Sequence, residues 1–320
     1  MVSMAALPER TTSVGIIGAG MTGLACARRL VDAGVQPVLF DKGRGVGGRL
    51  ATRLTDSGLQ FDHGAQYATS RSAAFGSLLA EIEQAGSAGP WSVDGKDRAV
   101  GMPGMNALAK FLARGLEIWQ RAEVSHMRRT VGGLEILVNG QSVRLGRLVV
   151  TIPAPQATDL LGNDHDLAKQ INGVRMTPCL TLMAAFTSEA PTPFNTRRDP
   201  EDPIAWIALD SSKPGRMTEN CWVAQAGPSW SAERLQLEHG AIADQMLAML
   251  CDRIGASPSS AIHAVAHRWR YASVAQALGV PFVRNDDATL YLGGDWCLQG
   301  RIEAAWTSGT AIADDLMANL

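Results

Sequence analysis

Three glycines, Gly18, Gly20 and Gly23, stand in the spacing Gly-x-Gly-x-x-Gly within GAGMTG, and Asp41 follows 18 residues after the last of them. The first glycine permits a tight turn, the second lets backbone amides approach a diphosphate, and the third lets helix and strand pack closely. The positive end of a helix opening there faces the phosphates, and the Asp41 carboxylate suits ribose hydroxyls. The spacing alone is a weak signal. A strand before it, a helix after it and an acid ending the next strand make it strong. A second loop follows at once in DKGRGVGGR, where Gly43, Gly45, Gly47 and Gly48 lie among Lys42, Arg44 and Arg49. So many glycines cost too much backbone entropy for a helix, and exposed amides beside guanidinium groups suit a second contact with a diphosphate. Asp62, Gly64, Ala65 and Gln66 of FDHGAQYATS stand just beyond a short strand, as candidates to line a nucleotide cofactor.

The strand, glycine and helix pattern returns near the other end of the chain, in YLGGDWCLQGRIEAAWTSG, with Asp295, Trp296, Arg301 and Ile302 at its turn. The other chemistry-bearing residue types are less organised. The five cysteines are odd in number and scattered, with no Cys-x-x-Cys pair, so they are expected to be buried free thiols. His263 and His267 lie on one face of the strand-like AIHAVAHRWRY, but at strand rise they are about 13 Å apart, and no metal site is expected.

These residues need elements to hold them. SVGIIGAG reads as a buried parallel strand, MTGLACARRLVDAGV as a helix stopping at Gly34, and QPVLFDK as a second strand ending on Asp41, which makes a right-handed strand-helix-strand unit. From Leu116 to Pro153 several short strands separated by VGG and NGQ turns suggest an antiparallel meander. Between about Leu160 and Ala261 helical segments mix with proline-rich connections. The expected fold class is α/β: a discontinuous nucleotide-binding domain of residues 13–70, 100–158 and 262–320 with an antiparallel meander, and a smaller α+β substrate domain of residues 71–99 and 159–261.

Bulk properties agree with a small-molecule protein. At 320 residues and 46% hydrophobic the chain can bury two cores. With 29 basic and 31 acidic residues its net charge of -2 gives no footprint for nucleic acid or an anionic membrane. No apolar run approaches the roughly 20 residues that span a bilayer, and MVSMAALPERTTS makes a poor signal peptide. A cytoplasmic location is expected, and no protein partner is evident.

In order, GIIGAGMTGLACARRL, FDKGRGVGGRLATR, FDHGAQYATS, LVVTIPAPQATDLL and GGDWCLQGRIEAAWTSG resemble the FAD-binding motifs of the flavin amine oxidase superfamily. Within it, DKGRGVGGR, HGAQY, SKPGR, AHRW and GDWCLQGRIEAAWTSG resemble the bacterial renalase family, over essentially the whole chain from about Val14. The resemblance implies a Rossmann-type FAD-binding domain in an amine-oxidase-like two-domain architecture. It further implies oxidation of misreduced NAD(P)H isomers carrying the extra hydride at ring position 2 or 6, with hydride passing to flavin N5, NAD(P) released and dioxygen reduced to hydrogen peroxide. Aromatisation makes such a dihydropyridine a strong hydride donor, so positioning is the main demand and no catalytic acid or base is required.

By the same resemblance Gly18, Gly20, Met21 and Thr22 approach the FAD diphosphate and Asp41 the adenosine ribose. Arg49 with the Gly47–Gly48 backbone meets the diphosphate from the other side, and Val124 flanks the adenine. Gln66 and Tyr67 border the isoalloxazine, Asp295 lies by the ribityl chain, and backbone around Arg301 and Ile302 caps the flavin pyrimidine edge. There the helix N-terminus stabilises negative charge after hydride transfer. His267 and Trp296 are placed against the nicotinamide, His267 as a donor to its carboxamide or to the flavin and Trp296 as a wall of its slot, with Tyr67 as a third catalytic candidate; a structural role for His267 or Tyr67 and a core indole are the plain alternatives. The substrate diphosphate calls for cations, and Arg197 with Arg198, or Lys213 with Arg216, are available unless they are solvated surface charge. AQYAT stands where AQYFT is expected, so Ala68 leaves a wider or repacked pocket. Two rivals remain. One is an amine oxidase, although with three tyrosines no aromatic cage is obvious; the other is a non-catalytic FAD-binding protein.

Overall fold

A computed structural model describes residues 11–93, 95–216 and 220–320; the stretch read above for a targeting signal lies outside them as far as Arg10. The chain divides into two compact units, one made of Met1–Gly48, Leu112–Arg175 and Gln276–Leu320, the other of Arg49–Phe111 and Met176–Ala275. This departs from the expected boundaries. Residues 49–70, 100–111 and 262–275 go with the second unit and 159–175 with the first. The long strand Ala261–Gln276 accounts for residues 262–275, because it is an edge of the second unit's sheet.

In the first unit, β1 (Thr11–Ile17), helix α1 (Met21–Asp32) and β2 (Val38–Asp41) follow the predicted order. The sheet runs Phe282–Arg284, Leu290–Gly293, Gln141–Val150, β1, β2, Glu117–Gln120. Every neighbouring pair is parallel except the first. Val14, Ile16, Ile17, Leu39, Leu148, Val149 and Leu290 are all buried, as strands covered on both faces must be. Strand order reverses between β1 and Gln141–Val150, and the carboxyl ends of such a switch point form the usual ligand crevice.

The antiparallel meander is confined to Val124–Thr130, Gly133–Val138 and the first half of Gln141–Val150. Glu117–Gln120, read from sequence as its first strand, instead pairs in parallel with β2. The Trp119 ring stands edge-on to Phe40 at 5.1 Å and anchors it there. α1 packs on the C-terminal helix (Ile302–Ala318) so closely that a Cβ on Gly309 would overlap the Thr22 carbonyl oxygen.

The second unit carries a sheet ordered Thr196–Arg198, Trp206–Leu209, Cys221–Gln225, Arg175–Phe186, Ala261–Gln276. Helix His239–Ile254 covers one face, setting Ile242, Met246, Leu250 and Ile254 against Leu180, Leu182, Trp222 and Ala224. On the other face Met183, Ala185, Cys221 and Val223 pack on Phe61, from the hairpin of Arg53–Leu54 and Gln60–Phe61. Cys26, Cys221, Cys251 and Cys297 are buried, Cys179 is half-buried, and all are free thiols. Among the described residues no helix is long and apolar enough to cross a membrane.

Candidate functional site

In the first unit the glycine turn is built as its spacing predicts. Gly18 adopts φ +102°, and its N–H donates to the Phe40 carbonyl at 2.8 Å. A Cβ on Gly23 would overlap the Gly18 carbonyl oxygen and lie 2.9 Å from Thr151 Oγ1, whereas a Cβ on Gly20 would meet nothing within 4 Å. Gly20 is the N-cap of α1, and no side chain caps that helix. The second glycine therefore opens a cradle in front of unpaired helix amides, which fits the diphosphate of a dinucleotide. Met21 and Thr22 have buried side chains in the first helical turn, so their backbone amides are what they offer a ligand.

Two residues hold this turn in place. The Asp41 carboxylate accepts Ala19 N–H at 2.6 Å on one oxygen and Gly43 N–H at 2.7 Å on the other, a clamp on both loops that its ribose role did not foretell. Thr151, in the LVVTIP motif, shares its hydroxyl proton between Ile17 O at 2.8 Å and Gly18 O at 3.1 Å. The second loop hooks onto the first through Gly47 N–H to Ala19 O at 2.8 Å, and a Cβ on Gly48 would stand 3.7 Å from Gly20 Cα. Lys42 and Arg44 are exposed on that loop. Val124, half-buried, begins its strand at a register irregularity.

At the chain's other end, Leu290–Gly293 leads into a tight turn, Asp295–Cys297, and then the C-terminal helix, whose N-cap Arg301 supplies no side-chain cap. Asp295 is buried, Ile302 is half-buried, and the Arg301 guanidinium lies 3.4 Å from Glu303 in the first helical turn. Trp296 corrects the sequence reading. Its side chain is completely buried, its indole N–H donates to Ile152 O at 3.0 Å, and a Cβ on Gly294 would collide with its ring. It is a core residue of this unit and walls no open slot. Burial also pushes the neighbouring Cys297 thiol up to about 12, which keeps it protonated.

In the second unit the HGAQ segment lies on the Arg49 backbone. Ala65 N–H donates to Arg49 O at 2.8 Å, and a Cβ on Gly64 would overlap that oxygen, so Gly64 serves a close approach. Arg49 itself donates to Ala272 O at 3.1 Å. The Gln66 side chain is buried and committed: its amide donates to Asp62 O at 2.5 Å and Gly64 O at 3.0 Å, and its oxygen accepts Lys213 Nζ at 3.2 Å. Tyr67 is half-buried, edge-on to Trp206 at 5.8 Å with the Arg98 guanidinium 5.4 Å above its ring. Ala68 is buried and bridges to Ala99 through paired backbone hydrogen bonds.

Lys213 and Arg216 are not the solvent-facing cations that the sequence suggested. Lys213 Nζ lies 2.6 Å from Asp210 and 3.2 Å from Asp62, Arg216 pairs with Asp62, and all four side chains are out of solvent. Thr52 Oγ1 and Met105 N–H also donate to Asp62, at 2.6 and 2.9 Å. Burial alone would raise the Asp62 carboxyl, but Lys213 and Arg216 outweigh it and hold it below the usual carboxylate range; for Asp210 burial wins and the shift is upward. Arg197 is likewise committed, 3.1 Å from both Asp199 and Asp202. Sequence reasoning missed this network because its members come together from residues 52, 62, 66, 105, 210, 213 and 216.

His267 sits in an aromatic cluster. Its ring centroid is 4.8 Å from His63 and 4.3 Å from Trp269, while Trp269 stacks on His63 at 5.3 Å and donates its indole N–H to His63 O at 2.8 Å. Burial, then the neighbouring His267 and Arg53, lower His63 to about 4; burial, then Arg53 and His239, do the same for His267. Both are neutral at physiological pH. A histidine whose folded pKa is depressed contributes full stability above its unfolded value near 6.5, and loses it as pH falls toward 4. Acidification from pH 7 to pH 4 is therefore expected to destabilise the protein by up to about 3 kcal/mol through buried His63 alone. Urea denaturation should show the H63Q variant to be less sensitive to pH across that window.

Residues 16–82 match the model of the NAD(P)-binding Rossmann-like domain, and residues 71–317 that of the flavin containing amine oxidoreductases. A 4,4'-diapophytoene desaturase of Staphylococcus aureus (strain Newman) is 43% identical over 51 residues, which is 16% of this chain and 10% of the desaturase. The chain thus matches about a tenth of the length of such curated relatives. Among solved structures, putrescine oxidase superposes with a TM-score of 0.72 at 12% identity, over 97% of this chain and all of that one. A candidate protoporphyrinogen oxidase from Exiguobacterium sp. 255-15 gives 0.77 at 13% identity with the same coverage. These likenesses establish a shared fold.

Proposed function

The chain belongs to the family of flavin containing amine oxidoreductases and its cofactor is FAD, and within that family we propose that it is an oxidase of dihydronicotinamide dinucleotides. Its substrates in this reading are the 2- and 6-dihydro isomers of NAD(P)H, and dioxygen is the final acceptor. Bound FAD supplies the two-electron acceptor, taking up hydride and passing the electron pair to dioxygen as hydrogen peroxide. The Gly18–Gly23 turn and the Gly47–Gly48 backbone would hold the cofactor diphosphate and Asp41 its ribose. The uncapped start of the C-terminal helix offers amides to a developing negative charge.

The observation that carries this reading is the commitment of the buried lysine in the second unit. Lys213 is spent on Asp62, Asp210 and Gln66, and the histidines beside Trp269 are neutral. Neutral His267 can donate its N–H to a nicotinamide carboxamide without adding charge. A dihydropyridine that gives up hydride to become aromatic needs to be held flat and dry, and does not need to be deprotonated first. An amine substrate is oxidised from its neutral form and asks for a group to take up its proton, a task closed to Lys213, which Asp62 and Asp210 hold.

Anaerobic mixing decides between them. The isomers are expected to bleach the oxidised-flavin band within seconds, while a panel of small primary and secondary amines leaves it unchanged. Bleaching by an amine alone would establish the amine oxidase reading. A flavin that no compound of either class reduces would leave a binding protein.

A further inference from the structure

With Lys213, Arg216 and Arg197 committed to carboxylates, the anionic part of a dinucleotide needs other cations in the second unit. The geometry points to Arg98, over Tyr67, and Arg198, beside Trp206, as the cations that receive the substrate's diphosphate. This rests on the dinucleotide reading above.

Strand register brings the four residues together. Ala68 bridges Ala99, so Tyr67 and Arg98, each one residue before the bridge, turn to the same face. The Arg98 guanidinium lies 5.4 Å above the Tyr67 ring, and Tyr67 in turn stands edge-on to Trp206 at 5.8 Å. Trp206 is directly opposed to Arg198 on one neighbouring strand and to Gln225 on the other, so these three side chains form one row on one face of the sheet. Gln225 Nε2 donates to Gly64 O at 2.7 Å, which turns that face toward the HGAQ segment. The alternate residues Ile207 and Ala224 pack in the core under helix His239–Ile254.

Both arginines are unspent. Among the described residues neither makes an ion pair or a hydrogen bond. The carboxylates nearest in sequence are occupied or turned away: Asp199 and Asp202 hold Arg197, while Asp97 opposes Ser92 on the other face of the Ala88–Val93 and Lys96–Gly101 hairpin. Arg198 is exposed and Arg98, Tyr67 and Trp206 are half-exposed, so the patch is open to a ligand. Arg98 is also preorganised, with buried Trp91 directly opposite it on the hairpin and the Tyr67 ring beneath its guanidinium. Two guanidinium groups without carboxylates repel a protonated amine, and each planar fork suits two phosphate oxygens at once.

The test uses the FAD-loaded full chain and inorganic diphosphate. Calorimetric titration at low ionic strength is expected to show binding to the wild type, weakened at least about tenfold by Arg98→Ala and at least about threefold by Arg198→Ala. Arg98→Lys keeps the charge without the fork and should fall between R98A and the wild type. Arg198 lies on the exposed edge strand Thr196–Arg198, so R198A is expected to keep the wild-type unfolding midpoint and carries the test even if R98A is unstable. In flavin reduction R98A should raise the half-saturating concentration of the dihydro-NAD isomers at least about tenfold more than that of the phosphate-free dihydronicotinamide ribosides. An equal rise for both would mean that Arg98 only steadies Tyr67, and would overturn the subsite. A wild type that binds no diphosphate, or binding indifferent to either arginine, overturns it too, whatever the substrate proves to be. Arginine-dependent diphosphate binding with no reduction by any isomer would instead sustain the subsite and overturn the dinucleotide oxidase.

Discussion

Lys213→Met is expected to destabilise the protein by about 3–5 kcal/mol at pH 7, the range for removing one partner from a buried ion pair. Lys213 is shared by Asp210 at 2.6 Å, Asp62 at 3.2 Å and the Gln66 amide oxygen at 3.2 Å. Asp62 keeps Arg216, Thr52 Oγ1 and Met105 N–H after the substitution. Asp210 keeps a hydrogen bond from Asp62 N–H at 3.0 Å and the more distant pull of Arg216, so the cost concentrates there. Burial already raises the Asp210 carboxyl against the pull of Lys213, and losing the ammonium raises it further. A carboxyl whose folded pKa exceeds the unfolded value near 3.9 costs stability above that value, and the cost disappears as pH falls below it. The deficit of K213M relative to wild type should therefore shrink between pH 7 and pH 4. Urea titrations at the two pH values check this, and the double variant D210N/K213M should recover most of the loss by restoring charge balance. A deficit independent of pH would mean that lost packing against Trp91, 5.2 Å from Nζ, dominates.

That network marks where sequence reading ended. Local rules were enough for β1, α1 and β2, since apolar run, glycine spacing and terminal acid all lie within 31 residues of chain and each has a direct steric or electrostatic meaning. The same rules placed Glu117–Gln120 in the meander, because its turn chemistry resembles that of its neighbours. Only the packing of Trp119 on Phe40, 79 residues away in sequence, sends it to the parallel sheet. SKPGR read as an exposed basic turn for the same reason: the spacing fixes the turn, but Asp62, 151 residues from Lys213, fixes which way the lysine points. Trp296 was correctly set beside Asp295 at a tight turn, while the direction of its ring was decided by the distant carbonyl of Ile152.

Gly23→Ala and Gly20→Ala should separate the two jobs that one glycine motif performs. A methyl at Gly23 would overlap the Gly18 carbonyl oxygen and press on Thr151 Oγ1 at 2.9 Å. Neither can yield freely, since Thr151 Oγ1 is bonded to Ile17 O and Gly18 O and the Gly18 backbone is held by Phe40 O at 2.8 Å. The turn must open, at a typical overpacking cost of about 1–3 kcal/mol, and opening it scatters the amides that face the diphosphate. G23A is expected to lose both stability and cofactor, with flavin content after purification below about a tenth of the wild-type value, the outcome of a cost of at least about 1.4 kcal/mol in binding. At Gly20 the backbone is extended and the added methyl meets no protein atom within 4 Å. G20A should therefore keep the wild-type unfolding midpoint in the flavin-free form and still lose FAD at least tenfold, because its methyl fills the space in front of the helix amides. Flavin-free proteins compared by thermal unfolding, then titrated with FAD by fluorescence quenching, give both numbers. If G20A binds FAD like the wild type, the cradle before α1 is not where the diphosphate lies.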